Sequence, residues 1–242
     1  MRYNGVDITT IHRAISIAKE IPPGMPDREN DMIQGRGGEW LAGVRMQNSQ
    51  YVVRVNVAAR TREEAWEARA QLAAWAMSSG ENTAMLEPTL WPGKAYDAIV
   101  SAIEPPEFKP RFAVIKVTFD IPRAVAYNVI ESRSSGVGSI SMVIDGTAYA
   151  RPVIRQTLEK AASVLTWELD GNTFLTLRGT ISAGSVVEAD LKNGSVTIDG
   201  VHREDTVDYT ETEWQPGFLP GRHAVTSSDS GEMEARWHNE WV

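Results

Sequence analysis

Cysteine is absent from the 242 residues, so disulfides, thiolate metal sites and cysteine nucleophiles are all excluded. Long apolar runs are missing as well, and no stretch approaches the roughly 18 residues that a membrane-spanning helix needs. The first residues, Met1–Asp7, lack the apolar segment of a secretory signal. We therefore expect a chain that is made and folded in a cytoplasm, has no membrane partner and gains its stability from packing and association.

Clusters of basic residues are also missing. Residues 1–125 carry 15 Lys and Arg against 15 Asp and Glu, so the remaining 9 and 17 place the whole net charge of −8 in the second half. Nucleic-acid binding usually depends on clustered Lys and Arg. This distribution disfavours a nucleic acid or an anionic membrane surface as a partner.

The sequence has little that resembles catalytic or metal-binding chemistry. Four histidines show no metal-ligand spacing: His12, His202, His223 and His238. The segment Gly35–Glu39 lacks the Lys-Ser/Thr of a phosphate-binding loop, so it predicts a tight turn.

Carboxylates allow two further interpretations. Three of them alternate and form a weak candidate for a cation site, although a solvated charged face is favoured: Asp27, Glu29 and Asp31. Four others contain possible glycosidase pairs, as any acidic β-protein does: Asp190, Asp199, Asp205 and Asp208. We expect no enzyme, no cofactor and no bound metal.

One helix is clearly marked. Thr61 followed by Glu64 forms a capping box, acidic residues crowd the first turn, and Ser78–Gly80 ends the helix. One stripe is apolar, with two tryptophans beside it: Ala65, Leu72, Ala73, Ala76, Trp66 and Trp75. Alternating apolar residues predict strands at 51–57 and 113–121. The N-terminal half therefore predicts a small sheet with a helix packed on one face.

Two proline- and glycine-rich stretches interrupt that pattern, at Ile21–Gly38 and at Glu87–Lys94. Loops of this length are functional or disordered in most compact domains. The first stretch is too apolar for a solvated linker, which favours an arm that packs on a neighbouring subunit; an irregular surface loop is the alternative. The inter-subunit candidates are Ile21, Pro22, Pro23, Met25, Pro26, Met32, Ile33 and Arg36.

After Pro122 no helix is indicated. Short β-prone runs are separated by dipeptides that are typical of hairpin turns: Asp145-Gly146, Asp170-Gly171, Asn193-Gly194 and Asp199-Gly200. Repeated short strands with such turns predict a β-sandwich or barrel. The fold class is therefore mainly β (all-β or α+β), with domains at residues 1–125 and 126–242.

Eight tryptophans are many for this length. Tryptophans in a β-sandwich fill the core, anchor a protein interface or stack on sugar rings. Trp214 and Trp241 are candidates for contact with a partner or a sugar. A lectin-like adhesin therefore remains an alternative to a structural protein.

Several weak motifs in a fixed order resemble the distal tail (Dit) protein family of long-tailed phages. In the first half these are Tyr3–Asp7, Ile21–Pro23 leading to Gly35–Glu39, the Thr61–Gly80 helix, Tyr96–Ala98 and the Phe112–Pro122 strand. In the second half they are Gly146–Pro152, Asp170–Asn172, Leu175–Leu177, Gly179, Ala183-Gly184, Asp190, Asn193-Gly194, Asp199-Gly200, Leu219–Gly221 and Ala235–Trp237. Arg222-His223 departs from the family, which has an Asn soon after the Pro-Gly.

The resemblance implies an N-terminal ring-forming domain and a C-terminal galectin-like β-sandwich. It implies a non-catalytic structural protein of the virion tail tip, assembled in the host cytoplasm as a hexameric ring. Its partners would be its own copies, the major tail tube protein, the tape-measure C-terminus, the tail hub protein and receptor-binding proteins. DNA would pass through the lumen without specific binding.

Overall fold

The computed structural model describes residues 1–23, 27–32, 39–45, 49–212 and 217–242. The chain is mainly β and divides into two compact units. The N-terminal unit is Met1–Tyr127 together with Val242, and the C-terminal unit is Asn128–Trp241. None of the described helices has the length and the apolar character to cross a membrane.

Antiparallel strands and two helices form the N-terminal unit. The helices are α1 (Ile8–Ile11) and α2 (Arg62–Ala76), and a 3-10 turn (Met77–Ser79) follows α2. The strands are β1 (Arg2–Tyr3), β2 (Val6–Asp7), β3 (Ile15–Ile21), β4 (Asp27–Met32), β5 (Glu39–Arg45), β6 (Ser49–Val57), β7 (Ala84–Glu87), β8 (Lys94–Ile103), β9 (Glu107–Phe108), β10 (Ala113–Ile121) and, at the boundary, β11 (Ala126–Asn128).

The main sheet of this unit has the strand order β2-β1-β7-β8-β10-β6-β3, and β9 pairs with the start of β10. The pairing register of β3, β6 and β10 shows which strand termini lie together at each of the two ends of the sheet. At one end, β3 finishes at Ile21, β6 starts at Ser49 and β10 finishes opposite it at Ile121. We call this the hairpin end, because β4 and β5 lie in the chain between Ile21 and Ser49. At the other end, called the helix end, Val57 pairs with both Ile15 and Ala113, and α2 follows.

The predicted helix is confirmed. Thr61 accepts a hydrogen bond from the Glu64 N–H, and the Glu64 carboxylate accepts one from the Thr61 N–H, which completes the capping box. The buried face consists of Ala65, Ala68, Leu72, Trp75 and Ala76, whereas Trp66 remains 47% exposed. The core beneath is aromatic, since the ring centroids of Tyr3 and Trp75 both lie within 6.1 Å of that of Phe119.

The predicted loop at Ile21–Gly38 is wrong in part. Residues Asp27–Met32 form β4, which pairs with β5 in a separate two-stranded hairpin. A bulge between Glu29 and Asn30 shifts the register of this pair. Proline and glycine flank the strand on both sides, and their density obscured a short polar strand between them.

The C-terminal unit is a two-layered β-sandwich, as its turns predict. Its strands are β12 (Ser132–Val137), β13 (Ser139–Ile144), β14 (Val153–Thr157), β15 (Ala162–Leu169), β16 (Asn172–Ile181), β17 (Val186–Asp190), β18 (Ser195–Ile198), β19 (Val201–His202), β20 (Gly221–Ser227), β21 (Glu232–Trp237) and β22 (Glu240–Trp241), and a 3-10 turn spans Glu204–Thr206. One sheet has the order β12-β21-β14-β17-β18-β19 and the other β13-β20-β15-β16. Buried residues of both sheets form one core.

Three of the four predicted hairpin turns are confirmed. Asp170-Gly171 and Asp199-Gly200 adopt positive φ at both residues between paired strands, and Asn193-Gly194 lies between β17 and β18. The prediction for Asp145-Gly146 is wrong, because β13 pairs with β20 and not with β14. Gly146 instead allows close approach of the backbone, since a Cβ there would lie 2.2 Å from the Glu240 carbonyl oxygen.

Candidate interaction surfaces

A buried carboxylate organises the hairpin end of the N-terminal sheet. Glu20 of β3 is only 7% exposed, and it accepts hydrogen bonds from the Tyr51 hydroxyl at 2.5 Å and from the Thr89 N–H at 3.0 Å. The Leu90 N–H lies 3.4 Å from the same carboxylate. Burial, with the hydrogen bond to Glu20, raises the pKa of Tyr51 far above its ordinary value. The Tyr51 hydroxyl therefore remains a proton donor to Glu20.

This carboxylate fixes a loop that presents apolar side chains. Leu90 is 62% exposed and Trp91 is partly exposed, on the β7–β8 loop at residues 88–93. The Lys94 ammonium lies 5.6 Å from the centroid of the Trp91 ring. An apolar side chain on an anchored backbone loses little conformational entropy on binding, which favours an interface role for the loop.

The β4–β5 hairpin also belongs to the hairpin end. Its strands pair only with each other among the described strands, so both outer edges lack a ladder partner there. An isolated two-stranded hairpin is marginally stable in water. It gains stability when a further surface covers it.

The helix end has a different composition, in which cations stack on aromatic rings. The Arg62 guanidinium carbon lies 5.4 Å from the centroid of Phe108, and that of Arg69 lies 5.5 Å from the centroid of Trp66. Arg69 also donates hydrogen bonds to the carbonyl oxygens of Ile103 and Glu104. Exposed aromatic rings and ordered arginines are typical of binding hot spots.

A hollow of about 660 Å³ opens beside this surface. It is lined by His12, Arg13, Ala14, Val57, Ala58, Ala59, Arg60, Glu64 and Glu67. The N–H groups of Arg60 and Thr61 hold the pKa of Glu64 below its ordinary value, and the charges of Arg60 and Arg13 add to this effect. Among the described ion pairs, none joins the guanidinium group of Arg13 or Arg60 to a carboxylate within 4.0 Å.

The outward face of the six-stranded sheet in the C-terminal unit is charged. Arg155 pairs in register with Glu234 on one side and Glu188 on the other, and a hollow of about 520 Å³ lies there. The described lining residues include no aromatic ring: Ser135, Gly136, Val137, Arg155, Thr157, Glu232, Met233 and Glu234. Among its described lining residues, the hollow therefore offers no aromatic ring on which a sugar could stack.

The predicted site residues are scattered. Ile21 ends β3, Pro22 and Pro23 follow it, and Met32 ends β4; Met25, Pro26, Ile33 and Arg36 lie outside the described residues. Trp241 is half-buried, and its indole donates to the Asn128 side chain at 3.1 Å. Trp214 lies outside the described residues, whereas Trp167 and Trp237 are buried in the sandwich core.

The candidate glycosidase carboxylates stabilise turns or form ion pairs. Asp190 accepts from the Lys192 and Asn193 N–H groups, and Asp199 accepts from the Val186 N–H. Asp205 pairs with Arg203, and Asp208 accepts from Thr210. Over the described residues, no three His, Asp or Glu side chains are placed to share a metal ion.

His223, at the point of departure from the family pattern, has a local structural role. Its Nδ1 lies 2.7 Å from the Asp170 carboxylate, and its Nε2 lies 2.7 Å from the Leu219 carbonyl oxygen. The Ala224 N–H and the His223 ring hold the pKa of Asp170 below its ordinary value. The imidazole therefore connects the β15–β16 turn to the segment before β20.

The sequence patterns did not predict that the Glu20 side chain is buried. If β3 alternated regularly, Ile15, Ile17 and Lys19 would share the buried face. A bulge between Ile17 and Lys19 shifts the register, so Glu20 lies inside and Lys19 outside. The unusual composition of Glu87–Lys94 was the only signal for the loop that Glu20 holds.

The sequence of the C-terminal sandwich matches a known protein family. A family model described as the siphovirus-type tail component, C-terminal domain, matches residues 145–241. The matched residues lie within the C-terminal unit, which is therefore similar to the C-terminal domain of siphovirus-type tail components.

The whole chain has the fold of a distal tail protein. It matches the crystal structure of the SPP1 Dit protein, described as a paradigm of the hub adsorption apparatus in phages that infect Gram-positive bacteria, with a TM-score of 0.82. The match covers 99% of this chain and 98% of that chain at 12% identity. A chain of the phage p2 baseplate in its activated conformation matches with a TM-score of 0.46 and 10% identity, over 93% of this chain and 90% of that chain. No curated protein matches the chain by sequence.

Proposed function

We propose that this chain is the distal tail protein of a siphophage, that it forms a hexameric ring at the end of the tail tube, and that the ring joins the tube to the tail hub. The family match of the sandwich and the distal tail fold of the whole chain support this role. The observation that carries the ring is the presence of two unlike interaction surfaces at opposite ends of the N-terminal sheet. Unlike surfaces on one subunit produce head-to-tail contacts, which close into a ring when the rotation allows it.

The N-terminal units form the ring in this proposal, and the arm spanning Ile21–Gly38, with its hairpin, reaches the adjacent copy. The hairpin has only itself as a ladder partner among the described strands, so a neighbouring copy would supply the cover that it needs. The anchored apolar residue Leu90 lies on a loop at the same end of the sheet. A neighbour that receives the hairpin would bury this side chain as well.

The ring's interior and exterior have different tasks. Residues 1–125 have no net charge, which suits a channel through which DNA slides without being retained. The acidic sandwich, with its face of alternating Arg and Glu, offers polar contacts to the hub or to receptor-binding proteins. The tail tube protein and the tape-measure C-terminus are the partners on the side of the ring that faces away from the hub. Assembly in the host cytoplasm is consistent with the absence of cysteine.

Light scattering and negative-stain images of the purified chain test the ring. Six copies of 26.7 kDa give a particle of about 160 kDa with a central hole. A chain that stays monomeric, even when mixed with the hub and tube proteins of its phage, contradicts the proposal.

Replacement of residues 24–47 tests the arm. Because β3 and β6 are antiparallel neighbours and Ile21 pairs with Val52, a linker of about four Gly and Ser residues can join them. The variant should fold and remain a monomer. If it still forms rings, the arm is not needed for closure.

A further inference from the structure

The chain contains two Asn-Gly turns, Asn4-Gly5 and Asn193-Gly194. Asparagine is thermolabile, and a glycine after it leaves the next backbone nitrogen accessible because glycine has no side chain. In such a pair the glycine nitrogen can lose its proton and attack the side-chain carbonyl carbon of Asn, which closes a succinimide ring and expels ammonia. Water then opens the ring to aspartate or isoaspartate. All four residues are exposed, so exposure does not distinguish the two turns.

The Asn193-Gly194 turn is held by hydrogen bonds to Asp190. The Asp190 carboxylate accepts from the Asn193 side-chain amide at 2.6 Å and from the Asn193 N–H at 3.1 Å. The Gly194 N–H, whose nitrogen would attack, donates to the Asp190 carbonyl oxygen at 2.8 Å. The nearby carboxylate charge also opposes the negative charge that develops on the attacking nitrogen. Asp190 therefore restrains both reacting groups.

The Asn4-Gly5 turn is held less firmly. Among the described contacts, the Gly5 N–H has no hydrogen-bond partner. The Asn4 side-chain amide makes one long contact, at 3.3 Å to the Ser78 hydroxyl oxygen. The Asn4 N–H donates to the Met85 carbonyl oxygen at 3.0 Å, but this bond does not involve the Gly5 nitrogen. Neither reacting group is therefore restrained as it is beside Asp190.

The positions of the two turns in their sheets add to this difference. Asn4-Gly5 joins β1 to β2, which have two residues each, and β2 pairs only with β1 among the described strands. Asn193-Gly194 joins β17 to β18, and β17 also pairs along its whole length with β14. Short strands at a sheet edge open at a lower free-energy cost than strands inside a sheet. The movement that brings the nitrogen to the carbonyl carbon therefore costs less at Asn4.

We propose that Asn4 is a site of spontaneous deamidation in this protein, and that the Asp190 carboxylate protects Asn193 from the same reaction. The reaction consumes one water and releases one ammonia, and it needs no enzyme and no oxidant. When the ring opens to isoaspartate, the main chain between residues 4 and 5 gains one methylene group.

This extra methylene group changes the connection between two residues of the N-terminal unit. Tyr3 packs in the aromatic core, with its ring centroid 5.1 Å from that of Phe119. The Val6 carbonyl oxygen accepts a hydrogen bond from the Trp75 indole at 3.1 Å. Because the modified turn lies between Tyr3 and Val6, both contacts cannot keep their geometry without strain. The N-terminal unit therefore loses stability as Asn4 converts to isoaspartate.

Ageing of the full-length folded chain in mildly alkaline buffer tests the assignment. Peptide mass mapping and isoaspartyl methyltransferase labelling should show that Asn4 converts at least about tenfold faster than Asn193, the factor that one hydrogen bond to a charged group implies. In guanidinium chloride the two sites should convert at similar rates, because the fold then protects neither. Equal rates in the folded chain overturn the proposal. A difference that persists in the denatured chain also overturns it, because the local sequence would then be the cause.

Variants of Asp190 test the protection separately. Asp190→Ala should raise the conversion of Asn193 about tenfold, and Asp190→Asn, which keeps the volume but removes the charge, should give an intermediate rate. The matched control is Asp199→Ala, which removes the acceptor of the Val186 N–H in the next turn and should leave the Asn193 rate unchanged. If both Asp190 variants convert Asn193 at the wild-type rate, the carboxylate does not protect it.

Discussion

Glu20 accepts a hydrogen bond of 2.5 Å from the Tyr51 hydroxyl, and the same carboxylate binds the backbone of the loop that carries Leu90. The two residues lie on neighbouring strands, β3 and β6. Their hydrogen bond connects the sheet to the loop through one buried side chain. The shape of the hairpin end therefore depends on a residue type that is seldom buried.

Replacement of Glu20 should loosen this loop. Glu20→Ala leaves the Tyr51 hydroxyl and the Thr89 N–H without an acceptor, which should lower the free energy of unfolding by about 1–3 kcal/mol. Denaturant unfolding measures the loss, and amide exchange at Thr89 and Leu90 should speed up. Glu81→Ala, at an exposed position, is the control and should leave both unchanged. Equal loss of stability in both variants would show that the carboxylate does not hold the loop.

Leu90 should matter for assembly and not for folding. Leu90→Asp places a charge on the loop tip, which should prevent ring closure while the thermal midpoint of the monomer stays within about 2 °C. Val201 is equally exposed, at 62%, but lies in the C-terminal unit. Val201→Asp should therefore leave the particle mass unchanged. If the Leu90→Asp variant forms rings of the same mass and yield as the wild type, the 88–93 loop is not part of the interface.

A buried glutamine should hold the sandwich together. The Gln156 side-chain oxygen accepts from the Trp167 indole and from the Ser227 hydroxyl, both at 2.7 Å, and its amide donates to the Asp229 carbonyl. Gln156→Leu keeps the volume but leaves the indole N–H unsatisfied, which should cost about 1–3 kcal/mol in denaturant unfolding. The exposed Gln50→Leu serves as comparison and should cost little. Similar costs for the two variants would contradict this role.

Asp208 should contribute to acid stability. Hydrogen bonds from Thr210 and Arg178 lower the pKa of Asp208 to about 2 from its ordinary 3.8. Since the folded-state pKa is depressed, the stabilisation is present above about pH 4 and is lost as the pH falls through 2. Asp208→Asn should therefore reduce the fall in thermal midpoint between pH 5 and pH 2, and Asp145→Asn should not. The same acid sensitivity in the wild type and Asp208→Asn would contradict the assignment.

Local patterns predicted the regular elements well. The capping box of Thr61 and Glu64 predicted the start of α2, and alternation predicted β6 and β10, because these signals depend on neighbours in the sequence. The hairpin of β4 and β5 was missed because its pairing joins residues across a glycine-rich gap. The buried position of Glu20 was missed because one bulge reversed the phase of β3.

The sequence by itself determined the mainly β class, the single long helix, the turns at Asp170 and Asp199, and the resemblance to distal tail proteins. Each of these depends on residues close together in the chain or on the order of short motifs. Only the tertiary structure decided that Glu20 meets both Tyr51 and the 88–93 loop, and that Arg13, Arg60 and Glu64 line one hollow at the helix end of the sheet. Those relationships depend on strand order and register, which join residues distant in sequence through backbone hydrogen bonds that no local pattern encodes.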